Sequence, residues 1–139
     1  MVEIYYEDTE NLELSPDFFV GWFSEVAQKE GKELGDITLV FCSDDYLLEI
    51  NQQHLQHDYY TDIITFDYCF ENIVSGDLFV SVDRVKENAN QFGVSFQHEL
   101  HRVSIHGVLH LCGYKDKGET DEKLMRQKED ASLSLISFT

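Results

Sequence analysis

The stretch Ser104-Ile105-His106-Gly107-Val108-Leu109-His110-Leu111-Cys112-Gly113-Tyr114-Lys115-Asp116 decides how the rest of the chain is read. Two histidines stand four residues apart. On a helix such positions lie one above the other, roughly 5–6 Å apart, and two imidazoles so placed can reach one ion, as in the HExxH zinc helix. Between Val103 and Cys112 every residue except Ser104 and the two histidines is apolar or small, so the pattern predicts a helix buried on most sides. Gly113 stands where a glycine commonly ends a helix in left-handed geometry. The chain can then turn back and offer Asp116 as a third donor. Two His and one carboxylate leave zinc an open position, which is the arrangement of catalytic rather than structural sites. Histidines on an apolar helix also serve as core residues bonded to backbone carbonyls; the glycine stop and Asp116 favour the metal. Gly107 occupies the place where HExxH peptidases carry their general-base Glu, and no other residue declares itself as the base.

The segment 106–114 resembles the signature of the YbeY family, metal-dependent single-strand endoribonucleases that act as rRNA maturation factors. Thr61-Asp62-Ile63-Ile64-Thr65-Phe66 resembles a strand of that family, and Gly76-Asp77-Leu78-Phe79-Val80-Ser81 another. Glu99-Leu100 resembles its approach to the metal helix. Met125 and Glu129 fit the Met-x-x-x-Glu pattern of its last helix, and Asn51 the Asn before its central loop. The resemblance covers most of the chain after about Asp36, in one order. It departs at two places. The usual third metal ligand is a His, here replaced by Asp116. A carboxylate oxygen is an acceptable zinc ligand, but its charge makes bound water less acidic, and it also admits manganese or magnesium. The usual Arg four residues after the Asn, a candidate for phosphate contact, is Leu55.

The resemblance implies an endoribonuclease cutting single-stranded RNA in rRNA maturation and ribosome quality control. One zinc ion per chain would be held by His106, His110 and Asp116. The partners implied are rRNA and ribosomal particles, with no DNA and no membrane, in the cytoplasm. Thr61, Asp62, Lys115 and Lys117 are candidate substrate contacts. Asp62 has an alternative role, bonding backbone amides at the start of a strand. A water molecule and a ribose 2′-hydroxyl are both open as nucleophile. Two other classes stand beside this one. A metal-dependent peptidase-like hydrolase would need a carboxylate over the ion. A non-catalytic ribosome-assembly factor would use its metal only to brace the fold.

Charge bears on that choice. The net charge is −17, unlike most nucleic-acid enzymes, and it is uneven. Residues 1–83 hold two lysines against 19 acids, whereas residues 84–139 hold eight cations against eight acids. An RNA surface is therefore expected on the second half, with Lys115 and Lys117 flanking Asp116. Leu55 and the acidity favour the assembly-factor alternative.

Length predicts one domain spanning residues 1–139. No run of 18 apolar residues is present to cross a membrane, and Met1-Val2-Glu3-Ile4-Tyr5 shows no signal peptide. Cys42, Cys69 and Cys112 sit in apolar runs and read as small core residues of a reducing compartment.

Val2–Glu7 is expected as an edge strand, and Ser15-Pro16-Asp17 as a helix start with a Ser cap. Phe19, Trp22, Phe23 and Val26 form one apolar stripe. Asp36–Cys42 reads as a buried strand, and Ser43-Asp44-Asp45 caps a second helix. His54 to Tyr60 reads as a loop; His54 and His57 are left out of the site. Asp62–Cys69 and Asp77–Val82 read as neighbouring antiparallel strands, with residues 71–76 a turn. Asp83–Phe92 forms a short helix, Ser95 caps the metal helix, and Thr120 starts the last. The result is an α+β domain with a small mixed sheet of about four strands, helices packed beside it, and the metal site on a buried central helix.

Overall fold

The computed structural model describes residues 1–56 and 59–137, so His57 lies outside the described residues. Its elements are β1 (Val2–Glu7), α1 (Pro16–Lys29), β2 (Glu33–Cys42), α2 (Asp44–Leu55), β3 (Ile63–Asp67), β4 (Ile73–Ser81), α3 (Val82–Phe92), α4 (Phe96–Leu111) and α5 (Glu119–Leu133). The strands form one mixed sheet in the order β1-β2-β4-β3. β1 pairs with β2, and β2 with β4, in parallel; β3 pairs with β4 antiparallel. The α+β class, the four strands, the edge position of β1 and the β3–β4 neighbourhood match the expectation.

Several boundaries differ from it. β2 begins at Glu33, not Asp36, and β4 at Ile73, inside the expected turn 71–76. The two shifts have one cause: Glu33 and Leu34 pair with Ile73 and Val74, so each segment extends the other. Strand formation depends on the neighbour more than on local propensity, and this pairing overrides a Ser-Gly pair that reads as a turn. α5 starts at Glu119 behind Gly118, which places Glu119, Asp121 and Glu122 at the positive end of the helix dipole. The Ser15 hydroxyl makes no cap bond. Ser43 and Ser95 do cap, accepting from the N–H of Tyr46 at 3.1 Å and of His98 at 3.0 Å. Ser81 does the same for α3 through Arg84 N–H, a cap the sequence reading passed over.

Residues two apart on a strand share a face. Leu39 and Phe41 on β2 stand opposite Leu78 and Val80 on β4, all buried in the core that also holds the α1 stripe and the apolar side of α4. The other face carries a smaller cluster, Cys42, Leu47 and Ile64 with Phe66 and Phe79, to which α2 contributes. The Trp22 indole N–H donates to the Ser132 carbonyl at 2.9 Å and ties α1 to the end of α5. Ten of the 16 residues of α4 are buried, so this helix is the centre of the helical layer.

Gly107 explains how closely α4 approaches the sheet. A Cβ there would lie 2.8 Å from Ile63 Cδ1 and 3.0 Å from Leu78 Cδ2. Position 107 therefore points into the sheet, where a glutamate would be buried among apolar groups. The general-base position of an HExxH helix does not exist here.

Candidate functional site

Helical spacing puts His106 and His110 on one side of α4, their rings stacked with centroids 5.8 Å apart. Gly113, at φ 110, turns the chain after the helix and brings Asp116 back, its Oδ2 3.3 Å from His106 Nε2. The start of β3 closes the other wall. The two histidines, Asp116, Thr61, Asp62, Ile63 and Thr65 together line a pocket of about 140 Å³. Lys115 lines an adjoining groove with His110, Thr65 and Tyr114. Lys117 is exposed and lines neither. His54 lies apart, its ring edge-on to Phe66.

Both rings are held through Nδ1. His110 Nδ1 donates to the Tyr114 carbonyl at 2.8 Å. His106 Nδ1 donates to Glu129 Oε2 at 2.7 Å. A carbonyl and a carboxylate only accept, so each Nδ1 carries a proton and, in the neutral ring, each Nε2 carries the lone pair. Metal-ligating histidines are commonly anchored in this way. Among the described residues no three His, Cys, Asp or Glu side chains already converge closely enough to hold an ion. His106 Nε2 and Asp116 instead face each other.

Glu129 is itself held. Arg102 Nη1 donates to Glu129 Oε1 at 3.0 Å, and Arg102 Nε to Glu99 Oε1 at 2.8 Å. Glu99 and Glu129 are buried, and the Arg102 side chain is only 11% exposed. The chain Glu99–Arg102–Glu129–His106 thus runs through the interior to the pocket. The resemblance had pointed to Glu99 and Glu129; the linking Arg102 was missed. Its signal was the one Arg or Lys of α4, set directly before the apolar run 103–112, where a cation must find buried partners.

Burial disfavours charge on His106, but the Glu129 carboxylate outweighs it, aided by Asp116 and Asp62, and raises its pKa above the ordinary 6.5. Burial likewise opposes charge on Glu129, yet His106 and Arg102 prevail and lower it below 4.5. A proton bound more tightly in the folded state stabilises fully below the unfolded pKa and ceases to do so as pH rises through the folded one; a depressed acid behaves oppositely. The metal-free protein should therefore hold its thermal midpoint between about pH 4.5 and 6.5. The midpoint should fall above that window as His106 deprotonates, and below it as Glu129 protonates. A flat profile from pH 6 to 9 would show that the pair contributes nothing. Asp62 is shifted upward, chiefly by burial, and Asn88 Nδ2 approaches its Oδ2 at 3.5 Å.

Of the three thiols, Cys112 is pushed up to about 11, first by burial and then by Glu30, and Cys42 to about 12 by burial. Both are protonated thiols near neutral pH, and a thiol binds zinc only as the thiolate.

Comparison with known proteins identifies the family. The family model described as endoribonuclease YbeY matches residues 5–137. A protein named endoribonuclease YbeY from Phocaeicola vulgatus is 57% identical over 118 residues, covering 85% of this chain and 86% of that one. One of the same name from Flavobacterium johnsoniae is 49% identical over 136 residues, covering 98% and 97%. The solution structure of a Thermotoga maritima protein superposes with a TM-score of 0.68 at 30% identity, covering 96% of this chain and 87% of that one. With the sequence matched almost end to end, and the paired histidines, the returning turn and the sheet in place, the chain belongs to the YbeY endoribonuclease family.

Proposed function

We propose that the protein is a metal-dependent endoribonuclease that cuts single-stranded RNA in the maturation of ribosomal RNA. Family membership supports the reaction. One observation supports the centre: each Nδ1 is committed as a donor, so both Nε2 lone pairs are available to the pocket that Asp116 also lines. His106, His110 and Asp116 would hold one divalent ion, with zinc favoured by the two nitrogens and manganese or magnesium admitted by the oxygen. When bound, the ion would polarise a phosphoryl oxygen and acidify water.

The remaining work falls to side chains around the pocket. Thr61 and Thr65 offer hydroxyls to the substrate, and Lys115, which lines a groove with His110, offers a cation for a neighbouring phosphate. Asp62 is the carboxylate, besides Asp116, that lines the pocket. Burial raises its pKa towards the range useful for taking a proton from the attacking oxygen. Ribosomal particles are the proposed partners, and the cytoplasm the proposed location. No helix among the described residues is long and apolar enough to cross a membrane.

The test is cleavage of an unstructured labelled RNA, and of the same RNA annealed to its complement. The protein is loaded with zinc or manganese, or stripped by chelator. Cutting of the single strand alone, and only with metal, is the expected result; equal cutting by stripped protein would overturn the proposed centre. Asp62→Asn should lower kcat by about 10²–10⁴ while zinc still binds. An unchanged kcat would return Asp62 to a structural role.

A further inference from the structure

The proposed catalytic pocket has an annexe. Asn51, Leu55, Tyr59, Thr61, Ile64 and Thr65 line a groove of about 190 Å³, and Thr61 and Thr65 also line the histidine pocket, so the two spaces adjoin. Among the described residues, no Lys, Arg, His, Asp or Glu lines the annexe. The other openings of the catalytic pocket are charged: Lys115 and Asp67 line one, and Arg102, Lys123 and Arg126 stand among acids on the other.

The floor of the annexe is an open sheet edge. Ser81 N–H donates to the Asp62 carbonyl, and Tyr68 N–H to the Ser75 carbonyl. Antiparallel pairing alternates, so Ile64 and Phe66 also turn their backbone groups to β4, whereas Ile63 and Thr65 turn theirs outward. Because β3 is an edge strand, those outward N–H and C=O groups have no strand to meet. Above them stand two apolar surfaces, Leu55, 42% exposed, and Tyr59, 55% exposed. Buried Asn51 donates through Nδ2 to the Tyr59 carbonyl at 2.9 Å and fixes the backbone there.

Outward donors and acceptors and apolar walls, with no charged side chain among the described residues that line it, suit an uncharged planar group with a hydrogen-bonding edge. Resting on the nuclease reading, we infer that this annexe holds a nucleobase next to the scissile phosphate. Leu55 and Tyr59 pack its faces, and the Ile63–Thr65 backbone reads its edge. Leu55 then determines specificity: it makes a base-binding wall where a cation would draw a phosphate. An extended peptide added to β3 is the competing occupant. It is disfavoured because the edge is five residues long and borders the histidine pocket.

The experiment walks one abasic nucleotide along an unstructured oligoribonucleotide. Binding is read by fluorescence anisotropy and cleavage separately, with zinc-loaded protein. In the native protein one abasic position should weaken binding about tenfold, as expected for one stacked base. Leu55→Ala and Tyr59→Ala should already bind intact RNA about tenfold more weakly and lose nothing further at that position, while Tyr59→Phe binds as the native protein does. Native-like binding by both alanine variants, or an equal cost of the lesion in every protein, would overturn the inference. So would displacement of the RNA by an unstructured peptide without any effect of the lesion. Base-sensitive binding without cleavage would keep the annexe and remove the nuclease reading; cleavage without base sensitivity would do the reverse.

Discussion

His110→Ala is expected to abolish RNA cleavage, by at least about a thousandfold, while leaving a folded protein. A bound divalent ion stabilises transition-state charge by several kcal/mol, and each 1.36 kcal/mol is tenfold in rate. Removing one of the three proposed ligands should forfeit most of that. The structural cost is small, because the His110 ring makes one bond, to the Tyr114 carbonyl at the end of α4. A bond of that kind contributes about 1 kcal/mol. Zinc content per chain and far-ultraviolet circular dichroism should be measured on the same preparation. Lost zinc and lost cleavage with native dichroism is the expected combination. Full cleavage by the variant would place the activity elsewhere.

Glu129→Ala should be the most destabilising substitution near the pocket. It strips Arg102 of one of its two buried carboxylates and His106 of its anchor. Breaking a buried charge network from one side costs about 3–5 kcal/mol; Arg102 keeps Glu99, but its Nη1 and the His106 Nδ1–H lose their buried acceptor. In a chain of this size the thermal midpoint should fall on the order of 10 °C. Adding Arg102→Met to Glu129→Ala should deepen the loss, because it leaves the Glu99 carboxylate buried without its cation. A double variant more stable than the single one would contradict that account. Zinc affinity should fall in both, since the His106 ring is no longer oriented. Loss of such an anchoring partner typically weakens binding about 10–100-fold.

The parts of this fold that were legible have strong local periodicity. α4 was readable from an apolar stretch interrupted only by its two histidines and one serine, and α1 from the spacing of Phe19, Trp22, Phe23 and Val26. The caps at Ser43 and Ser95 were readable because a serine before an apolar run has few other uses there. What failed depended on distant partners. Ile73 and Val74 become strand only because Glu33 and Leu34 lie beside them, some 40 residues earlier. Arg102 meets Glu129 across 27 residues, and no spacing in the chain announces it. In the site, the sequence grouped His106, His110 and Asp116 and proposed Thr61 and Asp62 beside them. The structure places all five around one pocket. It separates Lys117 from them, because the turn that returns Asp116 leaves the next residue in solvent.

The same turn has an anchor of its own. Tyr114 Oη donates to Glu30 Oε1 at 2.5 Å, and Lys128 Nζ reaches the same carboxylate at 3.3 Å while lying over the Tyr114 ring. A connection outside the helices is thereby clamped between the end of α1 and the middle of α5. Asp116 hangs two residues beyond that clamp, so little chain entropy would remain to be lost on engaging the proposed ion. Affinity at the pocket becomes coupled to the docking of α1, more than 80 residues away in sequence. In amide hydrogen exchange, ion binding should slow the last turn of α1 together with residues 113–116, as one cooperative unit.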